Sequence, residues 1–378
     1  MSTPNAVHGS APKSTHTDLA SSLQRWIIGQ PAAIAAIVPY IEMYEANLAP
    51  PGRPVGVFML LGPTGTGKTH TVESLAQVLH GSPKNVLKID CGEFQLDHEV
   101  AKLIGAPPGY LGHRETHPMI TQQKLQAVTS PHSDLSIVLF DEVEKAAPSL
   151  VQLLLGVLDR AILHLGDNTT VNFEKSLIFM TSNAGAKEMQ ELLRPKFGFP
   201  REATLDPAEL GNRLDRVGRL AIQKRFPPEF VNRIDVIVTY HPLSEESLQA
   251  ILDQQLEAFQ RHVIERLGEG AFRIEVSDES RQFLLRHGTS PEYGARELKR
   301  VIHRHVVQPV ASLVARGQVP GGSTLRVVYD PEGDGLQIRV DPGLGLAKPV
   351  SRLTASVARR KSSRAEVDLP ASCVRVPA

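Results

Sequence analysis

Two cysteines in 378 residues, Cys91 and Cys373, are too few and too far apart for a disulfide framework, which points to a reducing, cytoplasmic setting. Charge of neither sign is in excess, since Lys plus Arg and Asp plus Glu both count 41. Composition therefore gives no reason to invoke nucleic acid or an anionic membrane. No apolar run reaches the ~18 residues of a membrane span. The N-terminal stretch MSTPNAVHGSAPKSTHTD has no apolar centre and few basic residues, unlike a signal peptide. No internal repeat of solenoid length occurs. Aromatic residues are scarce at 5%, and 28 prolines point to some loose chain. What is present is a 41% hydrophobic chain, long enough for two domains or for one large domain with a smaller partner.

Residues 1–17, rich in Ser, Thr, Pro and His, read as a disordered tail. Leu19, Leu23, Trp26 and Ile27 then recur at helical spacing, with Asp18 placed to cap the helix. A second helix is predicted over Pro31–Tyr44, before a Pro/Gly-rich linker at 50–54. Short apolar runs follow at Val57–Leu61, Val86–Ile89, Ile137–Phe140, Leu177–Met180 and Val236–Thr239, separated by helical patterns such as Thr69–Leu79 and Leu150–Leu158. Continuous apolar runs alternating with helices predict an α/β domain over 18–241, a parallel sheet with helices on both faces. After His241-Pro242 the pattern changes. Helices are predicted over Ser244–Arg266, Asp278–His287 and Ala295–Val314, and strands over Phe272–Val276, Thr324–Val328 and Leu336–Val340. This reads as a smaller C-terminal α+β domain over 242–341, with a disordered basic tail over 342–378.

Gly62-Pro63-Thr64-Gly65-Thr66-Gly67-Lys68-Thr69 fits the phosphate-loop pattern and lies between a predicted strand and a predicted helix. Glycines let the backbone wrap a phosphate with its N–H groups turned inward, and the following helix adds its positive end. Lys68 would reach the β- and γ-phosphates of ATP, and the Thr69 hydroxyl would bind Mg²⁺. The run Ile137–Phe140 ends in Asp141-Glu142. In a parallel sheet that end faces the nucleotide crevice. Asp141 would then hold Mg²⁺, and Glu142 would orient or deprotonate the attacking water. Alone, such a pair reads equally as the acidic start of a helix. Thr181-Ser182-Asn183 after the next strand could position that water, although the triplet is also ordinary turn chemistry.

Together with Ile28-Gly29-Gln30, LIGAPPGYLG, PEFVNRID and YGARELKR, these segments resemble the Clp family of AAA+ ATPases, most closely the C-terminal ATPase module of ClpB- and ClpC-type proteins. The segments keep the family's order over roughly residues 24–330. The resemblance implies that Ile28 and Gly29 line the adenine pocket. It makes Gly62 to Thr69 the Walker A loop, Asp141 and Glu142 the Walker B pair and Asn183 the first sensor. Arg233 becomes an arginine finger acting on a neighbouring subunit, and Arg296 the second sensor. A finger acting in trans implies a ring, expected as a homo-hexamer. Read from residues alone, Arg233 and Arg296 are surface ion pairs. Tyr110 and Leu111, within Gly109–Gly112, resemble the axial pore loop that grips unfolded polypeptide by apolar contact.

The chain departs from the family at Arg114–Thr121, where G-G-x-L-T is usual, at Asp159–Gly166, where D-D-G-R-L-T-D-G is usual, and at Phe226–Phe230, where Pro227 replaces an arginine. These positions fall near the pore and the subunit face. A first ATPase module, a coiled-coil insertion and a globular N-terminal domain are not read here, which points away from a standard ClpB role. The expected function is an ATP-driven protein unfoldase or chaperone that threads unfolded or aggregated polypeptide. Two alternatives stand beside it: a dedicated remodeller of one partner complex, and an unfoldase for a ClpP-like peptidase docked through Phe197-Gly198-Phe199. Nucleic-acid remodelling is disfavoured by the neutral composition.

Overall fold

Five strands form the central sheet: β1 (Gly56–Leu61), β2 (Leu87–Asp90), β3 (Ser136–Asp141), β6 (Ser176–Ser182) and β7 (Val236–Thr239), in the order β2-β3-β6-β1-β7. Every pairing in it is parallel. Between β3 and β6 lies a short antiparallel hairpin, β4 (Ile162–His164) with β5 (Thr170–Asn172). This computed structural model describes residues 17–105, 118–193, 207–290, 294–342 and 374–376. Residues 1–16, Tyr110, Leu111, Phe197–Phe199 and most of the expected C-terminal tail lie outside the described residues.

Alternate strand residues feed two separate cores, as a period of two requires. Val57, Met59, Leu61, Ile89, Val138, Phe140, Ile178 and Met180 pack on one face with helix Pro148–Arg160. Phe58, Leu60, Ile137, Leu139, Leu177 and Phe179 pack on the other with helices Pro31–Glu45 and Lys68–His80. A sheet covered on both faces has no polar side, which is why its strands other than the edge strand β2, which carries Lys88, read as apolar runs. Pro31 starts its helix at the first turn, where a missing N–H costs nothing. The first helix runs over Thr17–Gln24, so Asp18 lies inside its first turn rather than at the cap. The hairpin β4–β5 and the long helix Pro207–Arg225 were not predicted from the sequence.

The chain divides between Pro242 and Leu243 into two compact units. The second has helices Glu245–Leu267, Asp278–Gly288 and Ala295–Ile302. Its sheet has the order β11-β10-β9-β8, with β8 (Arg273–Val276), β9 (Thr324–Asp330), β10 (Gly335–Asp341) and β11 (Val374–Val376). Strand β11 pairs antiparallel with β10, so part of the segment expected as tail is an ordered strand. Ser244 and Ser277 cap their helices by accepting from Ser247 N–H and Ser280 N–H. The predicted helix Ala295–Val314 contains a π-helical turn at His303–Val307 before Gln308–Ala315. Pro309 explains it: proline donates no N–H and crowds the carbonyl four residues earlier, and the wider turn relieves that. Among the described residues, no helix is long and apolar enough to cross a membrane.

Candidate functional site

β1 enters the loop at Gly62, whose φ of +140° suits glycine alone. A Cβ there would lie 2.4 Å from the carbonyl oxygen of Tyr240. Tyr240 is itself fixed, donating its N–H to Leu61 O at 2.6 Å and its hydroxyl to Thr71 Oγ1 at 2.8 Å. Burial pushes that phenol well above its usual range. Gly67, at φ +102°, turns the chain into helix Lys68–His80. The loop is braced from within by Thr66, whose hydroxyl donates to Pro63 O at 2.9 Å. From outside, the buried Gln30 amide donates to Thr66 O at 3.2 Å and to His241 O at 2.9 Å. Gln30 thereby fixes the Ile28-Gly29 segment beside the loop, with Ile28 half-buried and Gly29 exposed.

Lys68 is only 8% exposed. Its ammonium donates to Gly62 O at 2.6 Å, Pro63 O at 2.9 Å and Asn183 Oδ1 at 2.9 Å. Three oxygens replace the water that a buried ammonium has lost, without which the charge would be costly. Asn183 in turn donates from Nδ2 to Glu142 Oε1 at 3.4 Å and from its backbone to Glu144 Oε1 at 3.0 Å. β1, β3 and β6 thus bring Lys68, Asn183, Asp141 and Glu142 to one place, the C-terminal edge of the sheet.

Asp141 faces Thr69, whose hydroxyl lies 3.4 Å from Asp141 Oδ1. The Thr181 hydroxyl donates to the same oxygen and accepts from Glu142 N–H at 2.9 Å. Lys88 Nζ sits 2.8 Å from Asp141 Oδ2. Burial works to raise the Asp141 pKa, but Lys88 and the Thr181 hydroxyl outweigh it and hold the carboxyl below its ordinary value. Glu142 occupies left-handed backbone at φ +57°, ψ +48°, which a non-glycine residue adopts at a cost. Lys145 Nζ meets Glu142 Oε2 at 2.5 Å. The Glu142 carboxylate raises the Lys145 pKa. The buried thiol of Cys91 is pushed far up, first by burial and then by the surrounding carboxylates.

Arg233 and Arg296 take part in none of these contacts. Arg233 pairs with Asp159 Oδ1 at 2.7 Å and is 45% exposed. In the same segment Asp235 anchors β1, accepting from Val57 N–H at 2.9 Å. Arg296 is exposed on helix Ala295–Ile302 of the second unit. Sequence reasoning missed Lys145 and Lys88, and foresaw neither the Thr181 bridge between Asp141 and Glu142 nor the Gln30 brace on the loop. Thr181 carried a usable signal, a polar residue ending a buried apolar strand, where a hydroxyl needs a partner. Lys88 carried none, because a lysine on an edge strand is ordinary protection against pairing.

Two domain models match the chain: the AAA domain (Cdc48 subfamily) over residues 53–237, and the C-terminal, D2-small domain of ClpB protein over residues 243–327. The chaperone protein ClpB of Meiothermus ruber is 38% identical over 83% of this chain and 34% of its own length. That of Rhizobium meliloti is 37% identical over 81% and 32%. The chain therefore spans about a third of the length of the curated relatives it matches. A solved closed-state structure of Hsp104 with ATPyS and FITC casein superposes with a TM-score of 0.71 at 27% identity, covering 86% of this chain and 51% of that one. The extended conformation of the S. cerevisiae Hsp104:casein complex gives 0.71 at 26% identity, covering 85% and 51%. With a phosphate loop braced as described and two domain models matched in this order, the chain belongs to the Clp-type AAA+ ATPase family.

Proposed function

We propose that this chain binds and hydrolyses ATP at the C-terminal ends of β1, β3 and β6, and uses the cycle to thread or remodel polypeptide within a homo-hexameric ring. The observation that carries the reading is the buried Lys68 ammonium, held at the loop mouth and joined through Asn183 to Glu142. In this reading the Gly62–Thr69 loop wraps the phosphates, and Ile28 and Gly29 border the adenine. Lys68 leaves its internal oxygens for the β- and γ-phosphates. The donor set fits Mg²⁺, since Thr69 and Asp141 offer hard oxygens on one face, 3.4 Å apart. The ion, when bound, draws charge from the phosphate oxygens. Asp141 and Thr69 hold it, and Glu142, released from Lys145, orients and deprotonates water while Asn183 fixes its direction.

Arg233 is our candidate for the finger that reaches a neighbour's γ-phosphate. Its present pair with Asp159 is half-exposed, and such pairs are weak enough to exchange. Arg296 is the candidate second sensor, and Tyr110 and Leu111 the polypeptide grip. Polypeptide as the substrate class is supported by the two similar Hsp104 structures, both complexes with casein.

The test is steady-state ATP hydrolysis by the purified chain, with and without casein. Stimulation by casein supports threading. Hydrolysis indifferent to casein but raised by one partner favours a dedicated remodeller, and absence of hydrolysis under both conditions sinks the proposal. Delivery to a ClpP-like peptidase is the alternative output, read by pull-down with wild type and Phe199→Ala.

A further inference from the structure

Among the described residues, one cation touches the carboxylate proposed to hold Mg²⁺. Lys88 Nζ lies 2.8 Å from Asp141 Oδ2, while the Thr181 and Thr69 hydroxyls lie on Oδ1. A carboxylate offers only two oxygens, both as acceptors, so both are engaged by protein. The contact follows from the sheet. In the β2–β3 register Lys88 stands opposite Leu139, and Asp141 is the next residue on that face of β3. Diagonal neighbours at that spacing meet when one side chain is long. The same face is covered by helix Lys68–His80, which carries Thr69.

We infer that Lys88 is a positioning residue that holds the metal's place on Asp141, so that Mg²⁺ loads by exchange with the Lys88 ammonium. This rests on the nucleotide-site reading above. Two cations on one carboxylate repel each other. The Asp141 side chain is 17% exposed and that of Lys88 is 47% exposed. The lysine, on a flexible stem, is therefore the partner that can leave for solvent. Asp90, Glu142 and Glu144 lie close by, and of these Glu142 already has Lys145 as its partner, so Lys88 supplies the cation that faces Asp141 itself. Lys88 neutralises part of the negative charge and keeps the Asp141 carboxylate aimed. Free Mg²⁺ must then compete with a tethered cation, whereas Mg²⁺ carried by nucleotide phosphates brings its own additional ligands. Metal entry becomes conditional on nucleotide.

The experiment titrates the full chain with a fluorescent N-methylanthraniloyl-ADP across a graded Mg²⁺ series at constant ionic strength. Lys88→Met and Lys88→Gln should lower the half-saturating Mg²⁺ concentration by about two- to five-fold, the range set by half-exposed ion pairs. Lys88→Arg should follow wild type. A lysine that served structure alone would give the opposite sign, because a misplaced Asp141 would need more Mg²⁺. An unchanged or raised midpoint in both neutral variants, with wild type binding normally, overturns this inference alone. Failure of wild type to bind the probe at any Mg²⁺ concentration overturns the nucleotide-site reading and this inference with it.

Discussion

In the unit ending at Pro242, Gln30, Thr66, Lys68, Thr71, Thr181, Ser182 and Thr239 are buried polar side chains at the phosphate loop, its helix and the C-terminal strand ends, while Ser74, His80, Ser136 and Ser176 are buried elsewhere. In the unit beginning at Leu243 the buried polar groups among the described residues are Ser280, His305, Ser323 and Asp330, and three of them bond backbone groups of the same unit. Ser280 donates to Val327 O, Ser323 to Pro320 O, and Asp330 accepts from Glu332 N–H and Gln337 Nε2. Both units pack apolar cores, yet in the first much of the buried polarity is joined in one network around Lys68 and Asp141. Satisfied inward, a buried hydroxyl fixes a turn. Aimed at a strand end, it orders a reaction site.

The sharpest break of this comparison is Glu142→Gln. If Glu142 is the base, turnover falls by about 10²-fold or more, while binding of fluorescent ATP survives and circular-dichroism melting stays near wild type. Wild-type turnover would remove Glu142 from the chemistry.

Glycine substitutions come next, two in the first unit and one in the second. Gly62→Ala sets a Cβ 2.4 Å from Tyr240 O at φ +140°, whereas Gly67→Ala, at φ +102°, meets nothing within 4 Å. The first should lower the thermal midpoint strongly. The second should cost about 1–3 kcal/mol, from backbone strain alone. In the second unit, Gly288→Ala would drive a Cβ to 2.6 Å from Leu298 Cδ1 and 2.9 Å from Leu298 Cα. It should destabilise that unit and disturb the helix that carries both Leu298 and Arg296. Unchanged nucleotide affinity in a destabilised Gly288→Ala would count against Arg296 as the second sensor.

The smallest effect concerns His305, 2% exposed with a buried Nδ1 that has no hydrogen-bond partner. Burial first, then Arg304 and His287, hold its pKa below the ordinary 6.5. The unfolded chain therefore binds the proton more readily than the folded one. Its stabilising contribution is complete above pH 6.5 and is lost as pH falls from there through the lowered folded value. His80, also lowered by burial, adds a term of the same sign in the first unit. Urea midpoints by circular dichroism should drop between pH 7 and 5 for wild type, with a shallower drop for His305→Leu. Identical slopes would show that His305 does not titrate on unfolding.

Chemistry and topology were legible to different depths. The strand Val57–Leu61, the glycine loop and the helix after it can be read locally, because each uses a conformational or solvation preference of its own residues. The same holds for the apolar strand ending in Asp141-Glu142. Resemblance to a family added Asn183, which the structure brings to Lys68. Arg233 stands otherwise, since in the single chain its partner is Asp159. The hairpin β4–β5 escaped notice because its three-residue strands alternate exposed and buried positions over too short a span to show a period.

The sequence by itself determined the central strands, the parallel sheet buried on both faces, the phosphate loop and the acidic pair, since periodicity, glycine freedom and charge act within a few residues. Tertiary structure alone decided that Thr181 bridges Asp141 and Glu142, that Gln30 braces the loop, and that Lys88 reaches Asp141. Those contacts join residues separated by tens of positions, and strand order and register set their spacing. The partners of a side chain are fixed by which strands lie next to each other, and that is settled only when the whole sheet closes its two cores.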